Sequence, residues 1–209
     1  EGERPVINGN GRVKAGIYLR NQSNWTIQGL EVSNAAPERG YLYRSGILVE
    51  NDNGGVLNNI KILDNYVHEV TSSFRYSHTF HPHQFGGIAV NVQGTAPKDK
   101  FVGVLIENNR VENVGRTGIV VWDHVFAEYD YATREVVIRN NYVKNTDSDG
   151  ILTYGCDGAL IEHNVAEGCG AYREDGQFNG AAAIWCTRGS NCIIQYNEAF
   201  NTHALEGND

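Results

Sequence analysis

The chain has 209 residues, a formal net charge of −8, 41% hydrophobic residues and no methionine. The acidic balance argues against nucleic acid as a partner, since binding a phosphate backbone needs a surplus of Lys and Arg. Because no apolar run approaches the ~18 residues of a membrane-spanning helix, no span is expected. Twenty-four glycines against four prolines suit a fold with many tight turns.

Strand-like sequence begins at Pro5-Val6-Ile7. A short strand of the type Gly-Ile-x-Val then recurs along the chain. Its copies are Gly16-Ile17-Tyr18-Leu19, Gly46-Ile47-Leu48-Val49, Gly87-Ile88-Ala89-Val90, Gly118-Ile119-Val120-Val121, Gly150-Ile151-Leu152-Thr153 and Ala183-Ile184-Trp185-Cys186. Between them runs a second phrase, Ile-x-x-Asn-x-Val, centred on Asn65, Asn109, Asn141, Asn164 and Asn197. Ile151 to Asn164 and Ile184 to Asn197 are each 13 residues apart, and Asn109 to Ile119 and Asn141 to Ile151 are each 10. The smallest repeat is therefore 23 residues. Apolar residues alternate two apart within each phrase, which is strand periodicity. At roughly 3.3 Å per residue, such a repeat closes as three short strands joined by turns. This pattern predicts an all-β parallel β-helix of six to seven coils, one domain over 1–209, with each coil stacked on the next.

The asparagines share one register and are expected to be scaffold. Asparagine accepts a left-handed backbone at turns, and stacked amides can bond along the axis. Cys156, Cys169, Cys186 and Cys192 lack metal-ligand spacing and are expected to be buried thiols. The chain starts at Glu1 and stops as a further coil would begin, which suggests a mature or excised part of a longer β-helix.

Residues beyond the minimal coil fall around 35–45, 52–56, 71–85, 92–100, 123–133 and 170–179. They flank the Gly-Ile strand on its two sides, so they should build walls with that strand as the floor. Alternation points Trp122, Tyr154 and Trp185 outward from successive coils, as a platform for sugar rings. Asp123 and His124 follow at the far wall. Polar clusters precede the floor strands: Arg44, His81-Pro82-His83-Gln84, Arg116, Asp147 with Asp149, and Glu174 with Asp175. Asp147 and Asp149, assisted by Glu174 or Asp175, are the candidate carboxylates for cleaving a glycosidic bond. One would protonate the leaving oxygen, and the other would attack or activate water. Arg44 and Arg116 could bind an acidic sugar, or Arg116 could serve as base in β-elimination. His83 is a candidate for substrate hydrogen bonding or acid/base work.

The phrases Gly155-Cys156-Asp157-Gly158-Ala159-Leu160-Ile161-Glu162-His163-Asn164 and Ile194-Gln195-Tyr196-Asn197-Glu198-Ala199 resemble those of the pectin-lyase-like superfamily. The resemblance covers residues 5–203 and implies a right-handed parallel β-helix of the secreted bacterial carbohydrate-active type. Asn145-Thr146-Asp147 before Gly150-Ile151 is similar to a polygalacturonase phrase, but two residues longer. His81-Pro82-His83-Gln84 lacks both aspartates of the alginate-epimerase phrase, which disfavours epimerisation. The resemblance implies a secreted, monomeric enzyme acting on a polysaccharide or oligosaccharide, with a glycoside hydrolase preferred and no cofactor needed. Two other readings stay open. One is a polysaccharide lyase, with Ca²⁺ held by carboxylates. The other is a noncatalytic carbohydrate-binding or adhesin β-helix.

Overall fold

A computed structural model describes residues 3–38, 42–73, 81–96, 98–124, 133–170 and 181–203. The chain winds through three parallel sheets in turn. The first holds Val6–Asn8, Glu31–Asn34, Tyr66–Val70, Arg110–Val114, Tyr142–Thr146, Val165–Glu167 and Glu198–Phe200. The second holds the Gly-Ile strands: Ala15–Arg20, Ser45–Asn51, Gly86–Val92, Thr117–Asp123, Ile151–Tyr154 and Ile184–Thr187. The third holds Trp25–Gln28, Val56–Leu63, Lys100–Glu107, Thr133–Arg139, Leu160–Glu162 and Ile193–Gln195, with Cys156–Asp157 also paired to Thr133–Arg139. One 3₁₀ turn, Pro82–Gln84, is present among the described residues.

Each sheet sends one apolar row into the axis. Ile17, Ile47, Ile88, Ile119, Ile151 and Ile184 stack in register in the second sheet. Ile27, Ile62, Ile106, Ile138, Ile161 and Ile194 do so in the third. Val32, Val67, Val111 and Val143 come from the first sheet. The two β-branched types fill a narrow interior in extended backbone without losing side-chain freedom they would otherwise have. The glycine that opens each floor strand has its own cause. A Cβ on Gly46 would meet Val67 and the Gly87 carbonyl, and one on Gly118 would meet Val143 and the Gly150 carbonyl. The inward valine of the first sheet and the next coil's backbone approach too closely there for any side chain.

The asparagine ladder forms. Asn141 donates from Nδ2 to the Ile106 and Arg139 backbone carbonyls at 2.9 and 3.0 Å and to Asn164 Oδ1 at 3.0 Å. Its own Oδ1 accepts from the Asn109 backbone N at 2.9 Å and Asn109 Nδ2 at 3.0 Å. The same pattern links Asn65 to Asn109 and Asn164 to Asn197. The left-handed residue is not the ladder asparagine but the one before it. Asp64, Asn108, Asn140, His163 and Tyr196 have φ of 56°, 57°, 55°, 53° and 54°. That single left-handed residue turns the backbone, so the next amide swings inward and buries its polar atoms against the adjacent coil.

The second sheet is covered on its outer face as well. Leu48, Ala89, Val120 and Leu152 point outward yet are fully buried, packed with Phe85, Trp122, Tyr43, Tyr154 and Trp185. The expected open groove floor is therefore roofed over its middle coils. The segment 81–85 folds back across it, anchored where Asn91 Nδ2 donates to the Gln84 carbonyl at 2.7 Å. All four cysteines are free: Cys156 and Cys169 are buried, and Cys186 and Cys192 half-buried.

The ladder's weight can be measured. Asn141→Ala should cost about 2–4 kcal/mol, because it strands the Asn109 donors and the Ile106 carbonyl inside the solenoid. Lys61→Ala, on the exposed face of Val56–Leu63, should stay within about 0.5 kcal/mol. Urea unfolding of both variants checks the contrast, and equal midpoints would contradict it.

Candidate active site

The site lies over the later coils of the second sheet, on its outer face. Its centre is Asp149, in the turn that leads into Ile151–Tyr154 and only 1% exposed. Four donors converge on its carboxylate. Oδ1 accepts from the Ala182 backbone N and from Trp185 Nε1, both at 3.1 Å. Oδ2 accepts from His83 Nδ1 and, at 3.4 Å, from Ser148 Oγ. A carboxylate partner is an acceptor, so His83 carries its proton on Nδ1 and keeps Nε2 for another group. The His83 side chain is 16% exposed, whereas Asp149 is walled in. Asp149 therefore holds the imidazole, and the imidazole faces the surface.

Aromatic rings frame this pair. His81 stacks on His83 with centroids 4.8 Å apart and planes at 17°, and on Trp122 at 4.9 Å and 21°. Trp122 stacks on Tyr154 at 4.0 Å and 11°. Trp185 meets His83 edge-on at 6.0 Å. The Arg188 guanidinium lies 5.7 Å from the Tyr154 centroid. The column His81–Trp122–Tyr154–Arg188 runs along the helix axis, because coil spacing of about 4.8 Å matches ring-stacking distance. Behind the site sits Arg116, 3% exposed and with a left-handed φ of 71°. Burial pulls its pKa down to about 10, against the opposing pull of Asp149, Asp147 and Tyr43. Burial, followed by the nearby charges of His83 and Arg116, pushes His81 down to about 4.

Several residues singled out in the sequence are placed differently. Asp147 does not join Asp149. It lines a separate cavity with Glu69, Thr71, Asn113 and Asn145, because its backbone N still follows the first sheet and bonds Val114 O at 3.0 Å. The turn between them, closed by Thr146 Oγ1 to Ser148 O at 2.8 Å, sends the two carboxylates apart. Trp122 is no open platform. It is 5% exposed, and its two faces are taken by His81 and Tyr154. Trp185 belongs to another row: it pairs with Leu152, whereas Trp122 pairs with Tyr154. The three aromatics share a face but do not form one file. Asp123 points inward, in the parity of Ile119 and Val121, and accepts from Thr133 Oγ1 at 2.8 Å. It is fully buried and braces the turn toward the third sheet. His124 is exposed just beyond that strand and joins none of the ring contacts of the cluster among the described residues. Arg44 is 6% exposed and donates to the Gly11 carbonyl at 2.8 Å and the Thr71 carbonyl at 3.3 Å, well away from Asp149. Arg116 is too enclosed to reach a ligand as a base. Glu174 and Asp175 lie outside the described residues.

His81, Gln84 and Arg188 were not among the leading residues. The Pro82–Gln84 turn carries His81 and Gln84 into place, since Gln84 N bonds the His81 carbonyl at 3.0 Å and His81 N bonds Gln84 Oε1 at 2.9 Å, whereas Arg188 directly follows the strand Ile184–Thr187. The close spacing of His81 and His83 around a proline was the available signal.

The chain matches the family model of the right-handed β-helix region over residues 6–206 and belongs to that family. Among curated proteins it is similar to the lacto-N-biosidase of Bifidobacterium longum subsp. longum, with 28% identity over 199 residues, covering 79% of this chain and 12% of that protein. Among solved structures it is similar to the GH136 lacto-N-biosidase from Eubacterium ramulus, native protein, with a TM-score of 0.81 at 19% identity over 95% of this chain and 40% of that one. The selenomethionine derivative of the same enzyme gives a TM-score of 0.78 at 19% identity, over 95% and 44% of the two chains. The chain thus spans 12% of the length of the first of these relatives and less than half of the second.

The depressed His81 pKa has a consequence for stability. In the unfolded chain His81 takes up a proton near its ordinary value of 6.5, and in the fold only near 4. Its contribution is complete above pH 6.5 and is lost as pH falls toward 4. His81→Phe should flatten the stability-versus-pH curve in that window while leaving its slope above pH 7 unchanged. Thermal unfolding across the range checks this.

Proposed function

We propose that this chain is the β-helix part of a secreted, monomeric glycoside hydrolase of the lacto-N-biosidase type, acting on oligosaccharides. The observation that carries the reading is the Asp149–His83 pair, set among aromatic rings on the outer face of the second sheet. Likeness in sequence to a lacto-N-biosidase over most of the chain supports it.

Hydrolysing a glycosidic bond needs one group to protonate the leaving oxygen and a second to attack the sugar or activate water. His83 supplies a proton-transfer group at the surface. Asp149 fixes its ring and tautomer through Nδ1, so Nε2 of the neutral ring takes a proton from the attacking water, and only the imidazolium, with both nitrogens protonated, can give one to the leaving oxygen. Asp149 itself is a positioning residue, since it is buried and both its oxygens are occupied by donors. The second group is a carboxylate. Asp147 lines another cavity, which disfavours it, and Glu174 and Asp175, which precede the Ile184 strand in sequence, are our candidates for that role. Trp185 and Tyr154, both half-buried, offer edges and part of a face to a sugar ring.

The test is hydrolysis of a chromogenic lacto-N-bioside, run beside reducing-end release and ultraviolet absorbance on a panel of oligosaccharides. His83→Gln and Asp149→Asn should each lower kcat/KM by about 10²–10⁴. Glu174→Gln and Asp175→Asn identify the second carboxylate. Full activity in both His83→Gln and Asp149→Asn would sink this site. Absorbance from unsaturated sugars would move the reaction to β-elimination.

A further inference from the structure

A second cavity lies on the same outer face, at the other end of the second sheet. It has a volume of about 380 Å³ and is lined by Arg12, Val13, Lys14, Leu42, Tyr43, Arg44 and Phe85. Ligand sites of small molecules start near this size, at about 300 Å³. Its charge is unusual for this chain. Among the described residues, three cations and no carboxylate line it, in a protein of net charge −8. The cavity at Asp147, by contrast, carries both Glu69 and Asp147. Arg12 is exposed at the rim and has no carboxylate partner among the described residues. Lys14 is held by Glu50, with its ammonium 6.0 Å from the Phe85 centroid. Arg44 is locked by the Gly11 and Thr71 carbonyls, which fixes its charge in the wall. Tyr43, half-buried, stacks on Phe85 with centroids 5.1 Å apart and planes at 25°.

We propose that this cavity is a binding subsite for a carboxylate-bearing sugar, with the carboxylate on Arg12 and the sugar ring against Tyr43. A flat apolar wall beside cations suits that chemistry, since pyranose C–H faces pack on aromatic rings while guanidinium pairs with carboxylate through two N–H groups. The cavity belongs to the early coils, and Asp149 lies three strands along the second sheet from Ser45–Asn51, roughly 14 Å at the coil spacing. Phe85, next to the Pro82–Gln84 turn, joins the two places. A short oligosaccharide lying on this face would reach both. That placement rests on the hydrolase reading, but the binding itself does not.

The experiment is calorimetric titration of the protein with glucuronic acid and N-acetylneuraminic acid, with glucose as the neutral control, all without turnover. The sugar acids should bind more tightly than glucose, and less tightly as salt is added. Arg12→Gln should weaken them about tenfold and Arg12→Glu should abolish binding. Arg12 is exposed, so neither change threatens the fold. Equal binding of glucose, sugar-acid binding untouched in Arg12→Glu, or no binding of any of the three would overturn the proposal. Because no hydrolysis is read, failure here leaves the activity test standing, and failure of that test leaves this one readable.

Discussion

Everything in this molecule depends on one constraint: each coil must repeat the backbone path of the last, so that the same groups meet along the axis. The asparagine ladder enforces it. Asn109, Asn141, Asn164 and Asn197 each hand a side-chain oxygen to two donors of the preceding coil, and Asn65 hands its own to the Leu30 backbone N. A buried amide that misses its partner is expensive, so a slipped coil is penalised at every rung. The apolar rows of Ile and Val supply most of the burial, but apolar contact is not directional. The polar ladder selects the register among the many that would bury the same area.

Given that register, the outer face of the second sheet becomes a surface on which other segments can be placed with precision. The Pro82–Gln84 turn and Phe85 lie across it, and the cover is itself satisfied by hydrogen bonds through Gln84 and Asn91. Asp149 is reached from two distant parts of the chain: His83, and the segment that supplies both the Ala182 backbone N and Trp185. Such a convergence exists because stacked coils bring residues from successive repeats within one coil spacing of each other. The π column of His81, Trp122 and Tyr154 follows from the same spacing, which is close to the distance at which rings stack.

Two places on this face have opposite electrical characters. Around Asp149, one buried carboxylate gathers donors, with Arg116 behind it and His81 kept neutral by its surroundings. At the early coils, the described lining of a cavity carries three cations and no carboxylate. A chain with an excess of carboxylates keeps these few cations together only where the repeat places Arg12, Lys14 and Arg44 at one corner. Arg44 shows how one residue can serve the scaffold and the surface at once: its guanidinium ties two coils through carbonyls while its charge remains in the cavity wall.

The architecture was legible in the sequence because a solenoid writes its period directly into the chain. Ile88, Ile119 and Ile151 recur because each fills the same inward slot, and Gly46 and Gly118 recur because the next coil leaves no room for a Cβ. The site was legible only in part. Alternation placed Trp122 and Trp185 on the outer face correctly, but could not tell that Leu152 and Tyr154 separate them into different rows, or that His81 would cover Trp122. Asp147 and Asp149 read as a pair from their spacing, yet a turn at Ser148 sends one to each side of the corner. By itself, then, the sequence determined the repeat, the inward rows and the ladder, since these depend on local alternation and on identical neighbours above and below. Only the tertiary structure decided which insertions fold back over the second sheet and which side chains meet Asp149, because loops have no period and their contacts come from residues far apart in the chain.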